Sequence, residues 1–222
     1  MGILRFLFKI IAYFVVLSIA WVLLYRFVNP PITWLMIQRS FEKMEKPTKA
    51  VTRKWVAYED LSDNLKRAAV ASEDARFMLH AGFDTQAIKE AYQKNQSGQA
   101  IRGGSTISQQ TAKNVFLWPQ RSWVRKGFET WFTLLIEAFW GKKRILEVYL
   151  NIIEMGPRIY GAEAATTYYF NKPAVSLTKR QAALIVAVLP NPRRWSPNTP
   201  TNYINQKARR IVRYMPYSQI PN

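Results

Sequence analysis

The chain has no cysteine and a single histidine, His80. The first absence removes a disulfide framework, thiolate metal sites and a thiol nucleophile; the second removes any multi-histidine metal site or relay. Acidic residues are scarce too, 14 Asp and Glu against 32 Lys and Arg, for a formal charge of +18 over 222 residues. That imbalance is silent on fold but favours anionic partners: nucleic acid, phospholipid headgroups or phosphorylated substrates. Repeats, low-complexity tracts and the G-x-x-x-x-G-K-[ST] spacing of a P-loop are also missing.

What is present begins with one apolar run. Residues 10–25 read IIAYFVVLSIAWVLLY without a charge. With Lys9 and Arg26 snorkelling, residues 4–28 are long enough to cross a bilayer core of roughly 30 Å. Trp21, Tyr25 and Trp34 suit an interfacial belt. No small-x-small cleavage site precedes the polar sequence, so a retained signal-anchor over 1–28 is expected rather than a cleaved leader. Arg5 and Lys9 lie before the span, and Arg26, Arg39, Lys43 and Lys46 after it, so flanking charge does not orient it.

After Asn29-Pro30-Pro31 the residues through 49 read as a stalk or interfacial helix, with Ile32, Leu35, Met36 and Phe41 apolar. The rest, 50–222, reads as one mainly α domain. A weak strand signal lies near 51–58. A helix opening at Leu65 runs into Ser72-Glu73-Asp74-Ala75-Arg76, and Ile88, Ala91 and Tyr92 mark another. Ser97-Gly98-Gln99 and Gly103-Gly104 punctuate a loop, after which Ser105 or Thr106 caps a helix. Helices over 122–140 and 142–153 meet at Gly141. Thr178 and Gln181 form a capping box before an apolar helix over 179–188, and a basic helix spans about 202–214.

Four constellations carry the chemistry. Glu73 shares a helical face with Arg76 and Phe77 if the helix continues, which makes it either a surface ion pair or a general base in a partly apolar cleft. In the run GGSTISQQTAKN, 103–114, two glycines precede a capped helix end suited to an anion. Gln109 with Lys113 and Gln110 with Asn114 form two polar stripes there, a solvated face or a reader of hydroxyls and phosphate. Arg121, Arg125 and Glu129 recur every four residues beside Lys126, as an ordinary ladder or as a diphosphate clamp next to a second carboxylate. Last, Lys143, Glu147 and Asn151 share a face of a helix that mainly frames the cleft. Leu117-Trp118-Pro119, at a helix exit, is a candidate for dipping into lipid.

These runs, in this order, resemble the peptidoglycan glycosyltransferases of family 51, in the form of the monofunctional biosynthetic peptidoglycan transglycosylases. The segments are VASEDARFMLHAGFD at 70–84, GGSTISQQTAKNVF at 103–116, RKGFE at 125–129, KKRILEVYLNIIEMG at 142–156, and YGAEAATTYYFNK with LTKRQAALIVAVLPNP within 160–192. The resemblance implies a lysozyme-like α fold with a membrane-dipping jaw. It implies lipid II and the nascent glycan strand as substrates, and a catalytic domain on the outer face of the cytoplasmic membrane. By motif position Glu73 is the general base and Glu129 the second carboxylate. Asp74, Ser105, Gln109, Gln110, Lys113, Asn114, Arg121, Arg125 and Lys126 fall at substrate positions. Met78 stands where an aromatic is common, and Glu154 where some members have tyrosine.

Under that resemblance Glu73 takes the acceptor 4-hydroxyl proton while the cations stabilise a departing diphosphate. Glu129 either orients those cations or helps hold a divalent ion, Mg or Mn, no cofactor being obligatory. Membrane phospholipids and other cell-wall or division proteins are the further partners, and nucleic acid is not one. Two rivals stand beside this reading: a membrane-anchored lytic muramidase on the same fold, and a tethered basic binding protein using Lys207, Arg209, Arg210 and Arg213.

Overall fold

A computed structural model describes residues 2–42, 52–89 and 104–222. The apolar run forms helix α1, Gly2–Phe27, with mean hydropathy 2.4 over its best window; it is long and apolar enough to cross a membrane. Only Ser18 and Val22 on it are buried, because one stripe of the helix docks on the remainder of the chain. Helix α2, Trp34–Phe41, starts at a Thr33 cap and is not a free stalk: Met36 is buried, and Arg158 donates to the carbonyls of Arg39 and Glu42. The expected strand signal survives only as β1, Thr52–Arg53. It pairs in parallel with β3, Ile159–Tyr160, which pairs antiparallel with β2, Glu154–Gly156.

Among the described residues further α-helices follow; five have hydroxyl caps, while those over 142–152 and 162–170 begin at Gly141 and Gly161. Ser62, Thr106, Ser122, Thr178 and Thr201 each accept a backbone N–H from the first turn of the helix that follows. Together these helices are α3, Asp63–Glu73; α4, Ile107–Phe116; α5, Trp123–Phe139; α6, Lys142–Ile152; α7, Ala162–Phe170; α8, Lys179–Val188; and α9, Asn202–Tyr214. Helix α8 is apolar on every side and buried from Ala182 to Val188, as expected for a helix with no solvated face. It lies against α3 and α9, while α4 packs on α5 and α6 and α5 carries the anchor α1. At the α1–α4–α5 meeting point Phe116 stacks on Phe132 at 4.5 Å, and Trp21 meets Phe116 edge-on at 5.2 Å.

Two expected helices end differently. Helix α3 stops at Glu73, and Asp74 leaves helical geometry at φ −162°, so Arg76 and Phe77 do not share a helical face with Glu73. Helix α5 starts at Trp123, so Arg121 precedes it and falls off the stripe of Arg125 and Glu129. Of the helix marked by Ile88, Ala91 and Tyr92, residues 85–89 are helical and the rest lies outside the described residues, as do Ser97-Gly98-Gln99 and Gly103.

Candidate active site

Glu73 is the last residue of α3, where the chain turns away and leaves its carboxylate facing a cleft of about 240 Å³. Ser72, Arg76, Asp84, Gly104 and Ser105 help line it. Two neutral groups hold Glu73: Ser72 Oγ donates to Oε1 at 3.2 Å and Gln110 Nε2 to Oε2 at 3.2 Å. Gln110 is itself oriented by Tyr149, whose hydroxyl donates to Gln110 Oε1 at 3.4 Å. Tyr149 is fully buried, and burial pushes its pKa well above the usual phenol value, with Glu73 and Asp74 adding to the effect. It therefore stays a donor, which fixes the Gln110 amide with its nitrogen toward Glu73.

The neighbouring loop is tied down by Asp74. Its Oδ1 lies 2.8 Å from His80 Nε2, and its Oδ2 accepts the Ile107 backbone N–H at 3.0 Å, at the first turn of α4. A carboxylate there also suits the positive end of the helix. Thr106 closes the same corner, donating to the Gly82 carbonyl at 2.6 Å. Gly82 is at φ +90°, and a Cβ on it would lie 2.8 Å from Thr133 Cγ2, so only glycine fits that approach.

The second carboxylate is a different object. Glu129 is 3% exposed, and Arg125 Nη1 meets its Oε2 at 2.9 Å while Lys126 Nζ meets Oε1. Lys113, on α4, stands in the field of Glu129, Arg125, Lys126 and Arg121. Burial lowers its pKa; Glu129 opposes that shift, and the three cations reinforce it. A cluster with more positive than negative charge therefore sits on α4 and α5, and α4 also supplies Gln110 to Glu73.

A family model described as Transglycosylase matches residues 39–216. The chain belongs to the transglycosylase family. It is 52% identical over 190 residues to the biosynthetic peptidoglycan transglycosylase of Caulobacter vibrioides, covering 86% of this chain and 81% of the relative. It is 48% identical over 209 residues to the protein of that name from Bdellovibrio bacteriovorus, covering 94% and 84%. The Pseudomonas fluorescens relative of the same name is 48% identical over 217 residues, covering 96% and 90%.

Within this family member the residues singled out from sequence separate into groups. Glu73, Gln110 and Ser105 meet at the cleft, Ser105 through its carbonyl, which accepts from Gln110 at 3.4 Å. Lys113, Arg125, Lys126 and Glu129 form the charged cluster, with Arg121 exposed at its edge. Asn114 is half-buried on α4. Asp74 and Gln109 are both engaged within the protein, Asp74 on the lining of the cleft. Asp74 is 6% exposed with both oxygens engaged. Gln109 is 5% exposed, and its amide oxygen accepts the Thr106 N–H at 3.0 Å in a capping box, so the expected Gln109–Lys113 stripe does not form. The expected Lys143–Glu147 pair is replaced by Lys143–Glu59 at 2.7 Å and Arg144–Glu147 at 3.2 Å. Asn151 is buried, holding Val56 through both backbone groups.

Leu117 is buried at 4% exposure, while Trp118, packed on Phe128, and Pro119 are half-buried; Trp123 is 91% exposed. Glu154 is mostly buried beside Arg39 at 3.6 Å, and burial raises its pKa. Met78 is partly exposed.

Both Glu129 oxygens face cations. Asp74, His80 and Asp84 bring ligand atoms within 4.8 Å of one another. Asp84 Oδ1 accepts the Ala87 backbone N–H at 2.9 Å, and its Oδ2 lies 3.9 Å from Arg76 Nε.

Two residues escaped sequence reasoning. Tyr149 was hidden in a helix whose periodicity signals only packing. Lys207 reads as part of a basic surface stripe, yet it is half-buried, donates to the Ala187 carbonyl at 3.2 Å and lies in the field of Glu73. Burial lowers its pKa, and Glu73 partly offsets that.

Proposed function

We propose that this chain polymerises lipid II into β-1,4-linked glycan strands, inverting the anomeric centre and releasing undecaprenyl diphosphate. The observation that carries the reading is the pairing of a carboxylate held by neutral donors with a separate cation cluster one helix away. Glu73 accepts the proton of the acceptor 4-hydroxyl as that oxygen attacks the donor sugar. Ser72 and Gln110 aim the carboxylate, and Tyr149 holds Gln110. The leaving diphosphate is a stable anion and needs positive charge rather than a proton. Lys113, Arg121, Arg125 and Lys126 supply it, with Glu129 keeping Arg125 and Lys126 in place. Ser105 and Asn114 contribute polar contacts at the cleft. Asp74 and Gln109 act through the fold, holding the start of α4.

We place the catalytic domain, 50–222, on the outer face of the cytoplasmic membrane, attached by α1 as a single-pass anchor, where lipid II and the growing strand meet it. A lytic muramidase would use Glu73 as an acid toward an alcohol leaving group, and the cation cluster would then have no task. Incubating the detergent-solubilised protein with labelled lipid II should yield polymer that a muramidase digests. Absence of polymer from folded protein, with soluble muropeptides released from isolated walls, would establish the lytic reading instead.

A further inference from the structure

A second cavity, of about 500 Å³, shares no lining residue with the Glu73 cleft. One wall is the end of the anchor, Arg26 and Phe27; the other is the corner between α5 and α6, at Trp140, Gly141, Lys143 and Arg144. The seam between these walls is bonded in place. Trp140 Nε1 donates to the Val22 carbonyl at 2.8 Å, and Arg144 Nη2 donates to the carbonyls of Tyr25 and Val28, each at 3.0 Å. Arg144 Nη1 also reaches Asn29 Oδ1 at 2.9 Å. The cavity is therefore a property of the fold rather than a gap left by a loose tether.

Its charge is strongly one-sided. Arg26, Lys142, Lys143 and Arg144 line it against one carboxylate, Glu147, which Arg144 and the Trp55 indole already hold; Lys142 is paired with Glu137 outside the lining. Among the described residues Arg26 has no carboxylate partner; its contact is the Phe27 ring at 5.4 Å. Lys143 is paired with Glu59, which is 66% exposed, so that pair lies in water and another anion can replace it at little cost. Gly141, at φ +66°, has nothing within 4 Å of the position its Cβ would take, which leaves the approach open.

Depth supplies the rest. Arg26 ends the apolar helix, and in a bilayer that level is where hydrocarbon gives way to headgroups. Phe27, next in the chain, is 79% exposed.

We infer that this seam cavity binds the phosphate headgroup of an anionic membrane phospholipid, with Arg26 and Lys143 on the phosphate and the acyl chains lying along α1. The site is independent of the glycosyl-transfer reading, because it uses none of those residues.

Calorimetric titration of the full chain in zwitterionic detergent micelles tests this. The probes are dioctanoyl phosphatidylglycerol, dioctanoyl phosphatidylcholine and inorganic phosphate. Saturable binding of the glycerol lipid alone is expected, weakened roughly fivefold by Arg26→Gln and again by adding Lys143→Gln. Lys113→Gln, in the other cluster, should leave it unchanged. Arg26→Gln should keep its helical circular dichroism and its polymerisation rate in neutral micelles. Equal binding of the choline lipid, or wild-type affinity in the double variant, overturns the proposal. Inorganic phosphate binding as tightly as the glycerol lipid would make it a free-anion site, and loss of binding in Lys113→Gln would move the lipid to the active site; either result also overturns it.

Discussion

Glu73 and Glu129 are both helix carboxylates tied to α4, one through Gln110 and the other through the field on Lys113, yet their surroundings differ in kind. Glu73 sits at a helix end, half-buried, and receives hydrogen bonds from a serine and an amide. Glu129 sits inside a helix, buried, with a guanidinium and an ammonium on its two oxygens. Neutral donors orient a carboxylate while leaving it able to accept a proton. Two cations instead commit it to their own charge balance, and its removal leaves them uncompensated. The contrast is the ground on which we propose proton transfer for the first and architecture of the diphosphate site for the second.

The sharpest way to break that contrast is Glu73→Gln. Turnover of lipid II should fall by about two or more orders of magnitude with KM little changed, since geometry is kept and only basicity is lost. Near wild-type turnover would remove Glu73 from the role. Glu129→Gln should behave otherwise. Breaking a buried pair costs about 3–5 kcal/mol, so denaturant unfolding should shift and KM for the donor should rise. Unchanged stability there would erase the difference between the two acids.

A smaller effect is expected from Gln110→Ala. It deletes a hydrogen bond to a charged group, and kcat should drop about tenfold while unfolding moves little. Loss of donor affinity in place of kcat would put Gln110 on the substrate. The smallest effect concerns pH. Because burial lowers the Lys113 pKa, the residue loses its proton at a lower pH than an ordinary lysine as pH rises. Neutral Lys113 cannot hold phosphate, so the alkaline limb of kcat/KM should lie below that of Lys113→Arg, whose guanidinium stays charged. Coincident limbs in the two proteins would exclude Lys113 from the charge that matters.

Much of this was legible in the residues. The apolar run, the capping box at Thr178 and Gln181, and the helices expected over 122–140, 142–153, 179–188 and about 202–214 follow local rules of hydropathy, capping and period, and the structure moves their ends by at most one residue. The cluster of Lys113, Arg125, Lys126 and Glu129 also emerged, because three of its members lie within one helical turn or a little more. Gln109 and Gln110 show where local reasoning ends. They are adjacent amides of one type, and only their neighbours separate them: Thr106 draws one into a cap, while Glu73 and Tyr149 draw the other into the cleft. Asp74 marks the same limit: it lines the cleft, and nothing nearby in sequence announces Ile107 as its partner.

Composition and spacing within a few turns suffice for an apolar N-terminal helix long enough to cross a membrane, a mainly α domain, a strongly cationic character and the residue types available for chemistry. Packing between distant elements is what ends α3 at Glu73, brings Tyr149 and Lys207 toward it, and docks α1 on α5 and α6. Those are contacts between residues far apart in the chain. Their energy comes from burial and hydrogen bonding across elements, which no local periodicity encodes.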